Sequence, residues 1–138
     1  MASRLQQVHW VYPYSKMRSA NVLSTITALR LCTEHHSKSF SFVSTTATVE
    51  AEHYVTMADA IVEAGGRGVP ESDDLEGSRT TLTTGYGQSK WVAEKLIMEA
   101  GKRGLSGWTV RPSYIVGDSK TAGKPRAIEP RLTPGSSG

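Results

Sequence analysis

The chain has 138 residues, 38% of them hydrophobic, and a mean hydropathy of −0.34; this fits one small soluble domain with a modest core and leaves no apolar run long enough to span a membrane. The formal net charge is +3, and much of the excess sits at Lys120, Lys124, Arg126 and Arg131 without the interleaved aromatics of a nucleic-acid surface, so no nucleic-acid partner is expected. The single cysteine, Cys32, excludes an internal disulfide, and Met1 to Trp10 lack the apolar centre of a signal peptide; both point to a reducing, cytoplasmic setting.

In chain order, Val8-His9-Trp10-Val11-Tyr12 is short, aromatic and β-branched, and reads as a strand ended by Pro13. A helix is expected from Tyr14 or Ser15, because Val22, Ile26, Leu29 and Cys32 recur at helical spacing, with Met17 and Leu23 widening the stripe. Glu34-His35-His36-Ser37 breaks that pattern. Neighbouring histidines point apart on a helix, so they read as a solvated helix end rather than a metal site, and no metal is expected. Ser39-Phe40-Ser41-Phe42-Val43-Ser44 is the best strand, followed by Thr45-Thr46-Ala47-Thr48. Taken alone, those hydroxyls read as a turn. At the carboxyl edge of an α/β sheet they could instead face a ligand.

Residues 49–79 are long and irregular. Val55 to Ala64 can form a short helix stopped by Gly65-Gly66. Gly65-Gly66-Arg67-Gly68 follows a helix rather than a strand, so it reads as a cap and turn, not a phosphate loop. Asp73 and Asp74 read as part of a solvated acidic loop rather than a cation site. Gly85-Tyr86-Gly87-Gln88-Ser89-Lys90 opens a long helix expected to end near Gly101 or Gly104, and Gly107 to Pro112 reads as a second strand running into a loop at Tyr114 to Gly117. From residue 120 onward Gly, Pro, Ser and basic residues dominate, which predicts a disordered tail over 120–138. Strands alternating with helices indicate an α/β fold, with the Phe40–Val43 strand parallel to the Trp108–Val110 strand.

Tyr86 and Lys90 lie four apart, hence one above the other on a helix face. An ammonium beside a phenol favours the phenolate, so Tyr86 is expected to be acidified and able to act as general acid or base at a carbonyl or alcohol oxygen. By spacing alone, the plainer reading is a half-exposed tyrosine beside a solvated lysine.

Four segments in order resemble the extended short-chain dehydrogenase/reductases: Asn21-Val22-Leu23-Ser24-Thr25, Phe42 to Val49, Tyr86-Gly87-Gln88-Ser89-Lys90, and Arg111-Pro112-Ser113-Tyr114-Ile115-Val116-Gly117. Ser24 and Ser113 stand where that family usually has glycine. Val8 to Tyr14, Glu52 to Val55, Gly68 to Gly77 and Gly85 to Trp91 are similar to the C-terminal thioester reductase domains of the fungal L-2-aminoadipate reductases, over residues 8–119. The resemblance implies a partial Rossmann-like domain. The family's N-terminal strand and Gly-rich dinucleotide turn have no counterpart here, which suggests a fragment carrying the catalytic half of a reductase.

The resemblance also implies roles. Tyr86 protonates the substrate oxygen, Lys90 holds the nicotinamide ribose, and Thr46 hydrogen-bonds the same oxygen, with Thr45 and Ser44 as alternatives. Tyr86, Lys90, Arg111 and Pro112 border the cofactor, NADPH. The substrate is an acyl thioester, such as L-2-aminoadipyl, on the phosphopantetheine arm of a carrier domain, reduced to the aldehyde in lysine biosynthesis. Alternatives are a terminal reductase of another peptide or polyketide synthetase, a nucleotide-sugar epimerase, and a non-catalytic remnant or partner-binding module.

Overall fold

The structure, a computed structural model, describes residues 11–34 and 38–113. Its first helical stretch is one rod in three parts: α1 (Tyr14–Arg18), a widened π turn (Ser19–Leu23) and α2 (Ser24–Thr33). Consecutive hydroxyl residues accompany the widening. Ser24 donates to the Ala20 carbonyl, Thr25 to that of Asn21 at 2.8 Å and Thr27 to that of Leu23 at 3.1 Å. Such back-bonding competes with the helix ladder and suits a stretch where the ladder is stretched. Met17 and Val22 are buried by this rod, as the apolar stripe indicates.

Strand β1 (Phe40–Val43) leads through extended Thr45 into a 3-10 turn, Thr46–Val49. Helix α3 (Glu52–Glu63) starts a turn earlier than the apolar pattern suggests, because Ala51 and Tyr54 are already core. It stops at Gly65, whose φ of 83° is the left-handed conformation that glycine enters without steric cost. Helix α4 (Gly85–Lys102) is the longest element, and its amino end is capped by the Thr84 hydroxyl accepting from the Gly87 N–H at 3.0 Å. Strand β2 (Gly107–Val110) closes the described chain and pairs parallel with β1, Phe40 opposite Gly107 and Val43 opposite Val110. This is the α/β arrangement and strand pairing expected. The strand expected at Val8 to Tyr12 is not formed where it can be followed: Val11 lies in a turn and Tyr12 in a bend, ahead of Pro13. The rest of that strand, the His35-His36 pair, the loop from Tyr114 and the tail lie outside the described residues.

Two faces of α4 organise the core. One packs Ala93 and Ile97 on Phe42, with Leu29 and Phe40 alongside. The other carries Trp91 and Met98 against Ala51, Tyr54 and Leu75. The acidic segment is bound to this second face. Trp91 Nε1 donates to the Leu75 carbonyl at 2.7 Å, the Tyr54 hydroxyl donates to Asp73 Oδ1 at 2.6 Å, and Lys95 Nζ meets Glu76 at 2.7 Å. Asp73 therefore has a structural task, accepting also from the Leu75 N–H at 2.8 Å, and no cluster of three metal-ligating side chains occurs among the described residues. None of the described helices is long and apolar enough to cross a membrane. On the sheet face away from α4, Val43, Trp108 and Val110 are each about half exposed.

The start of α4 sits against the start of the first rod. A Cβ on Gly85 would come within 2.3 Å of the Tyr12 carbonyl oxygen and 2.5 Å of the Tyr14 nitrogen, both backbone atoms. Gly85→Ala is therefore expected to cost about 1–3 kcal/mol, the usual range for overpacking. Urea unfolding measures it; an unchanged midpoint would mean that residues 12–14 yield without cost.

Candidate active site

The helical spacing read from the sequence puts three side chains of α4 on one line: Tyr86, Lys90 and Glu94, at successive turns. All three are buried, and all three face the end of β1. The Tyr86 phenol is hydrogen-bonded by the Thr45 hydroxyl. Lys90 Nζ donates to the Val43 carbonyl at 2.9 Å and lies 4.8 Å from the centre of the Phe42 ring and 5.9 Å from that of Tyr86. Glu94, with no exposed surface, accepts from the Ser44 hydroxyl, from Thr48 Oγ1 at 3.1 Å and from Arg111 Nη2 at 2.7 Å.

The hydroxyl that meets Tyr86 belongs to Thr45, not to Thr46. Thr45 is still extended, with φ −157° and ψ 152°, and its side chain accepts from the Ala47 N–H at 3.2 Å, capping the 3-10 turn. Thr46 is the first residue inside that turn, where the chain has already changed direction. Arg111, expected at the cofactor, is paired with a buried carboxylate. Its guanidinium forms a two-pronged pair with Glu94, through Nε at 3.0 Å and Nη2 at 2.7 Å to the same oxygen, with about a quarter of the side chain exposed. Pro112 follows it, half-buried.

Electrostatics correct a second expectation. The Tyr86 pKa is raised rather than lowered: burial disfavours the phenolate, and the Thr45 hydrogen bond only partly opposes it. Lys90 does not acidify the phenol because its amine is turned to the Val43 carbonyl. Its own pKa is lowered from 10.5 to about 8 by burial, with the Glu94 carboxylate pulling the other way.

This shift has a measurable sign. Between about pH 8 and 10.5 the unfolded chain keeps a proton on this amine that the folded chain sheds. The penalty to the fold is therefore full below pH 8 and is relieved as pH rises to 10.5. The stability of Lys90→Met relative to the unaltered protein is expected to fall across that window. Paired urea titrations below pH 8 and near the upper end test it; a difference independent of pH would contradict it.

A buried polar lattice supports the site from the first rod. Asn21, in the π turn, donates from Nδ2 to Ser89 Oγ at 2.9 Å, and Ser89 Oγ donates to the Tyr86 carbonyl at 2.8 Å. Sequence reading missed Asn21, Ser89 and Glu94 as site-building groups. For Glu94 a signal existed: an acid four residues beyond Lys90, on a helix face otherwise buried.

What this geometry can do is proton chemistry at an oxygen. A protonated phenol and a neighbouring hydroxyl converge at the carboxyl end of a parallel strand, with an amine one turn deeper. That edge is where open α/β sheets bind their ligands.

Comparison with known proteins gives four results. The family described as Male sterility protein matches residues 6–132. L-2-aminoadipate reductase of Schizosaccharomyces pombe is 60% identical over 114 residues, which cover 83% of this chain and 8% of that protein. The L-2-aminoadipate reductase large subunit of Penicillium chrysogenum is 54% identical over 114 residues, with the same two shares. Among solved structures, the terminal R domain from the myxalamid PKS-NRPS biosynthetic pathway matches with a TM-score of 0.65 and 40% identity, over 83% of this chain and 26% of that one. The chain thus spans less than a tenth of the length of these two curated relatives.

Proposed function

Since the chain belongs to the Male sterility protein family, we propose that it forms the catalytic segment of an NADPH-dependent reductase that converts a carrier-bound acyl thioester to an aldehyde. The observation that carries this reading is the convergence of Tyr86 and the Thr45 hydroxyl at the end of β1. The likeness to reductases named for L-2-aminoadipate supports L-2-aminoadipyl as the acyl group and lysine biosynthesis as the setting.

The residues fit a nicotinamide cofactor in part. An ammonium has three donors, and the Val43 carbonyl takes one from Lys90, which leaves donors for ribose hydroxyls. Lys90 and Tyr86 are therefore the groups that would hold the cofactor here. A nicotinamide held there would supply hydride to the thioester carbon.

The chain's own part is to manage the oxygen and its proton. Burial keeps Tyr86 as the phenol, the form that can donate. As the carbonyl becomes tetrahedral, Tyr86 gives its proton to the oxygen while Thr45 donates a hydrogen bond to the same atom. When the resulting hemithioacetal collapses, the phenolate takes that proton back, the C–S bond breaks, and the thiolate of the phosphopantetheine arm leaves and is protonated from solvent. The products are an aldehyde and a carrier thiol. In all, one hydride and one proton are consumed.

The test uses the intact polypeptide that carries this segment, with L-2-aminoadipyl presented on a carrier domain. Loss of reduced-nicotinamide absorbance, with aldehyde and thiol appearing in equal amounts, is the expected result. Aldehyde formed from other carrier-bound acyl groups but not from this one would shift the assignment toward a synthetase-type terminal reductase. No oxidation with any thioester would overturn it.

A further inference from the structure

The reading above gives Tyr86, Lys90 and Thr45 their tasks and leaves the most buried charge of the described chain without one. Glu94 has no exposed surface, yet both its carboxylate oxygens are fully engaged. Oε1 accepts from the Ser44 hydroxyl, from Thr48 at 3.1 Å and from Arg111 Nε at 3.1 Å. Oε2 accepts from Arg111 Nε at 3.0 Å and Nη2 at 2.7 Å. A lone Arg–Glu pair could stabilise the core. The two extra hydroxyl contacts are more particular, because Ser44 and Thr48 flank Thr45 on both sides. Thr48 also ties back to Thr45 directly, its hydroxyl donating to the Thr45 carbonyl at 2.9 Å.

We propose that Glu94 is a positioning residue for the reaction: through Ser44 and Thr48 it fixes the chain on either side of Thr45 and so aims the Thr45 hydroxyl at the Tyr86 phenol. Arg111, arriving from the end of β2, neutralises the buried carboxylate and ties the second strand to the same point. A buried carboxylate suits this role better than an amide. It accepts several hydrogen bonds at once through two equivalent oxygens and donates none, whereas an amide would turn a donor toward Arg111 or toward the two hydroxyls. The role rests on the functional reading above, but its geometry does not.

Glu94→Gln keeps the shape and replaces one acceptor oxygen by a donor, which opposes Arg111 and leaves fewer acceptors for the two hydroxyls. In the intact polypeptide, kcat is expected to fall about 100-fold, the scale of a small misplacement of a catalytic group. The decisive measurement is a double-mutant cycle with Thr45→Val. If Glu94 acts through Thr45, the second substitution adds little to the first; full additivity, or an unaffected kcat in folded Glu94→Gln, overturns the proposal.

Should Glu94→Gln fail to fold, Ser44→Ala removes a single side-chain contact, that with Glu94, and enters the same cycle. A several-fold loss coupled to Thr45→Val supports the proposal, and additive losses overturn it. The carbon NMR signal of the Tyr86 phenol, in protein labelled at tyrosine, gives a reading that needs no turnover. It should move on Glu94→Gln when residue 45 is threonine and stay still when it is valine. A protein that reduces no thioester yet shows this pattern would remove the functional reading and keep the positioning role; a signal that ignores residue 45 would remove the role.

Discussion

Replacing Tyr86 by phenylalanine is expected to lower kcat by about a hundred- to ten-thousand-fold, the range a positioned general acid contributes, while leaving the fold in place. The argument rests on what the ring does besides chemistry. Tyr86 is buried against the end of β1, and a phenyl ring fills that space. The neighbouring Lys90 amine is anchored to the Val43 carbonyl rather than to the phenol, so it does not lose its partner. What disappears is the proton at the thioester oxygen, together with the phenol partner of the Thr45 hydroxyl. Steady-state kinetics on the intact polypeptide, with circular dichroism as the control for folding, measures it. A variant that retains turnover within an order of magnitude would place the acid elsewhere.

The second large effect falls on stability. Arg111→Met is expected to cost about 3–5 kcal/mol, the penalty for leaving a buried charge without its partner. Whole domains hold only about 5–15 kcal/mol, so that loss is severe. Glu94 is fully inaccessible, whereas Arg111 keeps about a quarter of its side chain exposed. The uncompensated charge is thus the carboxylate, which has no path to solvent. Ser44 and Thr48 remain as donors, but neutral hydroxyls do not balance a full charge at this depth. Urea unfolding reads the loss directly, and a change below about 1 kcal/mol, the size expected of a surface pair, would mean that water reaches the carboxylate.

The elements of this fold were readable where local pattern and tertiary need agree. Phe40 to Val43 alternates and is β-branched at its end, and it is a strand. Gly85 to Lys102 has a Thr cap, helix-forming residues and a glycine stop, and it is a helix. Finer matters depend on a turn that no spacing rule specifies. Whether Thr45 or Thr46 reaches the phenol is set by the residue at which extended chain gives way to the 3-10 turn, and that point is fixed by Glu94, fifty residues from Ser44. The acidity of Tyr86 was misjudged for a related reason. Spacing places Lys90 beside the ring but does not say where the amine points, and a strand carbonyl claimed it. The π turn at Ser19–Leu23 has no signature in apolar periodicity, since Met17 and Val22 stay on the buried side through it.

The even spacing of the three inward side chains of α4 carries a mechanical consequence. Phenol, amine and carboxylate leave the helix along a single meridian, and each grips a different atom within a few residues of the same strand end. A small roll of the helix about its long axis would swing all three away in unison. The pocket therefore assembles or dissolves as one event, and any ligand that steadies one grip should be felt at the other two.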